Sequence, residues 1–171
     1  MGVTIHFEGK LKTETDYQAV TQKAKDFANL YNYEHFEIKE ENKILQRVKN
    51  EDDWDYEGAT KGIQINPSKN TEPFILEFDK DLYVQEYCKT QFSEQGIHIN
   101  LIDFLEQIKP HFETLEIFDE GEYLETKDEQ VLINNLNSCW DQIDKAKSEN
   151  PKLKGPIKIE SGRIIDFVEY E

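Results

Sequence analysis

The chain has 171 residues, with 36 Asp and Glu against 20 Lys and Arg for a formal net charge of −16, and it is 37% hydrophobic and 12% aromatic. That aromatic content separates it from disordered chains, and a chain of this length buries roughly two thirds of its unfolded surface on folding. The acids are spread along the whole sequence and no stretch gathers the Lys and Arg that phosphate contacts need, which argues against nucleic-acid binding.

Val3, Ile5 and Phe7 alternate with Thr4, His6 and Glu8, the period of a strand with one buried face, and Gly9 closes it. Thr13 and Asp16 then offer cap chemistry. Tyr17, Val20, Ala24, Phe27, Ala28 and Tyr31 recur at three- and four-residue steps, predicting a helix from about Thr15 to Tyr31. His35 to Lys39 and Ile44 to Val48 read as two short strands around a polar turn at Glu40 to Lys43. Gly62 to Asn66 reads as another strand, stopped by Pro67.

The segment "PFILEFDKDLYVQEYCKTQF" predicts two strands meeting at the Asp79 to Asp81 turn. Ile99, Ile102, Leu105 and Ile108 follow at helical spacing, stopped by Pro110, and Leu115 to Phe118 reads as a strand. Leu132, Leu136, Cys139, Trp140 and Ile143 mark a third helix. "IKIESGRIIDFVEY" has two strand-like arms around Ser161 and Gly162. Strands and helices mix without strict alternation. The expected fold is therefore an α+β single-domain sandwich over residues 1–171, with a mixed, mostly antiparallel sheet and about three helices.

Two loops carry the densest chemistry. If the strand ending near Cys88 and the strand at Leu115 to Phe118 are parallel neighbours joined by the helix from Ile99, "KTQF" and "DEGEY" leave their carboxyl ends at one rim. Lys89, Thr90, Gln91, Asp119, Glu120, Glu122 and Tyr123 then become neighbours, with His98 at the helix start. Such a group could bind a divalent cation through oxygen or supply a general acid and base. Helix capping explains part of the same pattern, since Thr126 and Glu129 have capping-box spacing, Asp128 suits a helix N-terminus, and Lys89 can pair with Asp119 or Glu120.

"DDWDYEG", Asp52 to Gly58, starts like a calcium loop but has Gln64 where a bidentate Glu is needed and Lys61 at the ninth position. Its Asp53, Trp54, Asp55, Tyr56 and Glu57 can instead form an exposed patch for a basic partner, or the two rings can turn inward. Several classes lack their parts: there is no glycine-rich phosphate loop, GxSxG, HExxH or CxxC. Cys88 and Cys139 have no metal spacing, so no metal or other cofactor is expected, and reduced thiols fit a cytoplasmic setting. "MGVTIHFEGKL" shows neither a signal peptide nor a myristoylation pattern, and no run is long enough to span a membrane.

"YCKTQF", then His98, then "LEIFDEGEYLET" resemble a group of uncharacterised bacterial proteins with a KTQF-type segment, a His and a DEG-x-Y-x-E-T segment in that order. The likeness covers roughly Ile75 to Ile143, and the acidic segment at Asp52 to Gly58 has no counterpart. No activity attaches to the group. The resemblance implies a bacterial cytoplasmic protein and draws attention to Lys89, His98, Asp119, Glu120 and Tyr123. Two functions follow as expectations. One is a non-enzymatic acidic binding protein for a basic macromolecule, of inhibitor or immunity type. The alternative is a small divalent-metal-dependent hydrolase or transferase built on the carboxylates of residues 119–125.

Overall fold

In the computed structural model, which describes residues 2–171, the alternation at the start of the chain forms β1 (Thr4–Leu11), with Ile5, Phe7 and Leu11 buried. The elements that follow are α1 (Glu14–Leu30), β2 (Glu34–Leu45), β3 (Val48–Lys49), β4 (Asp52–Asp53), β5 (Tyr56–Asn66), β6 (Phe74–Phe78), β7 (Tyr83–Lys89), α2 (Gln95–Ile108), β8 (Phe112–Asp119), α3 (Tyr123–Thr126) and α4 (Glu129–Glu149). Four two-residue strands end the chain: β9 (Leu153–Lys154), β10 (Ile157–Lys158), β11 (Ile164–Ile165) and β12 (Val168–Glu169), paired β10 with β11 and β12 with β9.

The strands pair in two triplets, β7-β1-β8 and β2-β5-β6, every pairing antiparallel. The tight turn from β6 to β7 joins the triplets; the backbone bond Asp79 N–H to Tyr83 O (3.0 Å) closes the turn, and Glu72 N–H to Lys89 O (3.2 Å) ties the far ends of the two strands. The inner faces of both triplets share one core with α1 and α2. Phe7, Phe74, Phe78 and Phe104 lie in it, together with Val20 and Ala24 of the predicted α1 stripe. Removing any of these Phe rings would cost about 3–5 kcal/mol in lost transfer energy and cavity. The fold class is α+β.

Several details depart from the reading of the sequence, beginning with β1, which runs on past Gly9 to Leu11. Glu34 to Leu45 is one strand, because a register shift between Glu40 and Lys43 absorbs the polar run that reads as a turn. The strand at Gly62 begins six residues earlier, at Tyr56. The helix expected from Ile99 starts at Gln95, and α3 is a fourth helix. Asp128 caps α4, its carboxylate accepting from Gln130 N–H at 2.9 Å, whereas the Thr126 hydroxyl turns back to Glu122 O. Finally, β7 and β8 run parallel to each other but are not neighbours: β1 lies between them, pairing Thr4 with Lys89 and Ile5 with Asp119. Antiparallel pairing on both sides of β1 satisfies more of its backbone than a direct β7–β8 ladder would.

Candidate functional site

Since β1 separates the two loops, Lys89 and Asp119 leave the same end of the sheet about two strand spacings, or roughly 10 Å, apart. The rim is common, but its residues are used internally. Thr90, Gln91, His98 and Asp119 are all buried. His98 Nδ1 sits 2.7 Å from Thr90 Oγ1, and its Nε2 lies 2.9 Å from Asp119 Oδ1, a contact set off the ring N–H axis. Asp119 also accepts from Gly121 N–H at 2.7 Å and Leu124 N–H at 2.9 Å. Burial pushes the Asp119 carboxyl up, but the His98 contact and these backbone donors outweigh it and hold the group below its ordinary range. An ionised Asp119 keeps the ring proton on Nε2, leaving Nδ1 to accept from the Thr90 hydroxyl.

Hydroxyl, imidazole and carboxylate in series are the members of a nucleophile relay, yet this one has no access for a substrate. A Cβ on Gly121 would lie 2.9 Å from His98 Cε1 and 3.0 Å from Asp119 Oδ1, so only glycine lets that turn close over the imidazole. The series is a clasp between the loop after β7, α2 and the loop after β8. Its neighbours are similarly engaged. Gln91 accepts from Val3 N–H and donates to Asp166, and Lys89 donates to Asp166 Oδ1 and Ile164 O rather than to Asp119 or Glu120. Glu120 contacts His6 Nε2 at 2.7 Å, Glu122 accepts from Asn135, and Tyr123 packs against the core. Among the described residues no group of three or more His, Cys, Asp or Glu is arranged to hold a metal ion.

The acidic-aromatic segment is organised around Arg47, which the sequence reading missed. Its guanidinium lies 5.3 Å from the Trp54 ring, 5.4 Å from Tyr56 and 5.0 Å from Tyr83, and it donates to Asp79 at 2.9 Å and Tyr83 O at 3.3 Å. Asp55 accepts from Arg47 N–H. Trp54 and Tyr56 therefore turn toward the cation, Trp54 keeping 37% of its surface exposed, and Asp53 and Glu57 remain at the surface. Desolvation and cation–π attraction together fix the ring positions.

This anchor holds the β2–β5 arm against the outer face of β7-β1-β8. Gln85 completes the tie, donating to Val48 O at 2.8 Å and accepting from Val48 N–H at 3.0 Å, the pattern of a paired strand made by a side chain. Arm and sheet enclose a trough of about 1100 Å³, walled by Lys43 to Val48, floored by His6, Glu8, Gln85, Tyr87, Glu116 and Phe118, and closed at one end by Ser161 and Arg163. Tyr87, His6 and Phe118 form a row, with ring centroids 6.0 and 5.8 Å apart. Arg163 caps the row, 4.0 Å from the Tyr87 ring centre.

Charge in the trough is unevenly balanced. Each of its cations already has an acid: Lys43 pairs with Glu77, Arg47 with Asp79, and Arg163 with Glu72 and Glu86. Glu8 and Glu116 stand directly opposite each other on β1 and β8. Glu8 receives only the neutral donors Tyr83 O–H and Gln85 N–H, the latter at 3.0 Å, and among the described residues Glu116 has no polar partner. Burial, and then the Glu8 carboxylate, push the Tyr83 phenol well above its ordinary range, so it remains a donor. Like charges directly opposite in a ladder are destabilising by roughly 0.2–1 kcal/mol, so a cation seated there would relieve a standing cost.

His6, Glu8, Tyr87, Glu116 and Phe118 gave no signal in the sequence beyond lying at alternate positions of three strands. Comparison with protein-family models, curated proteins and solved structures finds no match to the chain.

Proposed function

We propose that the chain is a non-enzymatic acidic binding protein which engages a basic partner protein through the outer trough, as an inhibitor or immunity-type protein would, in a bacterial cytoplasm. The observation that carries this reading is the facing pair Glu8 and Glu116, without a neutralising cation and flanked by the exposed rings of Tyr87 and Phe118. A Lys or Arg side chain satisfies both features, since its stem packs on the rings and its head sits between the carboxylates. The net charge of −16 adds a field that speeds the approach of such a partner and weakens with salt. No helix among the described residues is long and apolar enough to cross a membrane. The alternative, a divalent-metal hydrolase or transferase, draws no support from the geometry, because Asp119, Glu120 and Glu122 each have partners within the fold.

Calorimetric titration with a short lysine-rich peptide at low salt tests the reading. Glu116→Gln should weaken binding about tenfold, or roughly 1.4 kcal/mol. Glu41→Gln removes the same charge from an exposed site outside the trough and should change binding less than twofold. Equal losses in the two variants would mean that only the overall charge attracts the peptide, and the trough would cease to be the site.

A further inference from the structure

The outer edge of β8 is open. No strand pairs with that side among the described residues, and the two ends of the strand system are guarded differently. At the opposite end β2 carries Lys39, Lys43 and a register irregularity between Glu40 and Lys43, the devices that discourage another chain from adding to an edge. Phe112 to Asp119, "FETLEIFD", contains neither Lys nor Pro, and its only irregularity against β1 lies at Leu11, near its start. It also exposes 62% of Phe118.

The hydrogen-bond parity of β8 is fixed by one contact. Glu120 N–H donates to Thr4 O at 3.2 Å, so Thr4 and Glu120 form a hydrogen-bonded pair. Alternation then directs the N–H and C=O of Phe118, Glu116 and Thr114 to β1, and those of Ile117, Leu115 and Glu113 away from it. The free groups lie beside the trough, because Glu116, Ile117 and Phe118 line it.

We infer that the basic partner presents an extended segment that adds to β8 as a further, antiparallel strand of the sheet, the orientation of every other pairing in it. Its backbone bonds Glu113, Leu115 and Ile117, and its alternate basic side chains lie beside Glu116, their long stems reaching across β8 toward Glu8. The inference rests on the trough being the binding site and specifies how it is used. Main-chain bonds supply affinity and side chains at every second position supply selection. Charge identifies the occupant. A second copy of the chain would bring Glu113 and Glu116 of both protomers into one short ladder between bodies of formal charge −16 each, whereas a Lys- or Arg-bearing strand relieves the repulsion already present between Glu8 and Glu116.

The probe is a blocked peptide alternating lysine with valine. With the peptide antiparallel to β8 and its lysines beside Glu116, the valine amides point at β8 and the lysine amides point away. Peptides N-methylated at the valines or at the lysines therefore have equal charge and equal methyl count but differ in which edge is blocked. The valine-methylated peptide should bind at least tenfold more weakly than the lysine-methylated one, and the parent should protect the Glu113, Leu115 and Ile117 amides from hydrogen exchange. If the two methylated peptides bind alike and remain sensitive to Glu116→Gln, strand addition is refuted and the trough reading stands. If even the parent fails to bind at low salt, both fall. A dimer in sedimentation whose β8 amides are protected without peptide would also overturn the proposal.

Discussion

Replacing Asp119 by Asn keeps the size of the side chain and removes its charge from a position only 2% exposed. The carboxylate serves three groups at once: His98 Nε2, Gly121 N–H and Leu124 N–H. An Asn offers one oxygen, and its NH₂ must then face either the imidazole or the backbone donors. One buried N–H loses its acceptor, which costs about 1–3 kcal/mol. The charge-assisted contact to the His98 ring is lost as well, and the sum is about 3–4 kcal/mol. Thr90→Val keeps the shape and deletes the hydroxyl's neutral contacts, to His98 at 2.7 Å and to Val3 O at 3.5 Å, and should cost about 1–2 kcal/mol. Urea unfolding followed by circular dichroism at pH 7 gives both numbers, provided the denaturant slopes match that of the parent.

The pH dependence supplies a second check on the same variant. The folded Asp119 carboxyl lies below its ordinary range. Its contribution is therefore complete above the unfolded value of about 3.9 and is lost as pH falls through the folded value. The Asn variant's deficit should be constant from neutral pH down to about pH 5 and should narrow below about pH 4. A deficit under 1 kcal/mol at pH 7, or one that stays the same at pH 3, would show that the clasp is not held by an ionised Asp119.

Glu116→Gln, beyond weakening a basic probe, should leave stability unchanged or raise it by up to about 1 kcal/mol, because it removes one of two facing like charges; thermal melts of the two proteins decide this. Arg47→Met leaves the buried Asp79 carboxylate with backbone donors but no cation, and removes the cation shared by three rings, so it should cost about 3–5 kcal/mol and shift Trp54 fluorescence to the red, read in the same urea series. Burial pushes the Cys88 thiol far above its ordinary range and its Sγ donates to Glu72 O at 3.2 Å, so labelling by a disulfide reagent should proceed at the rate of unfolding. Rapid labelling of Cys88 in the native state would contradict that burial.

The inner half of this molecule was readable in advance. The stripe Val20, Ala24, Phe27, Ala28 and the series Leu132, Leu136, Cys139, Ile143 are buried as their spacing implied, because one-sided burial imposes a period that survives in the sequence. The "KTQF" and "DEGEYLET" segments do meet at one end of the sheet. What they do there was not readable. Whether Thr90, His98 and Asp119 face solvent or one another depends on β1 passing between the two strands, a pairing more than seventy residues long in sequence for β7 and more than one hundred for β8. Alternation identifies a strand but not its neighbours. Arg47 was overlooked for a related reason. A single cation between two strand-like segments carries no pattern, and its role exists only once Trp54, Tyr56 and Tyr83 are brought around it.

The outer face obeys different rules from the core, which is why it holds the candidate site. On the inner face local preferences agree with their surroundings: apolar residues meet apolar residues, and the buried Asp119 carboxylate takes two backbone donors. On the outer face Glu8 faces Glu116, an unpaired edge runs beside them, and a phenyl ring at Phe118 lies largely in water. Each of these costs stability in the isolated chain, and none is required to close the fold, since Gln85 and Arg47 hold the arm without them. A single added strand with basic and apolar side chains in alternation removes all three costs together, whereas a small cation would answer only the first and a second acidic copy would aggravate it.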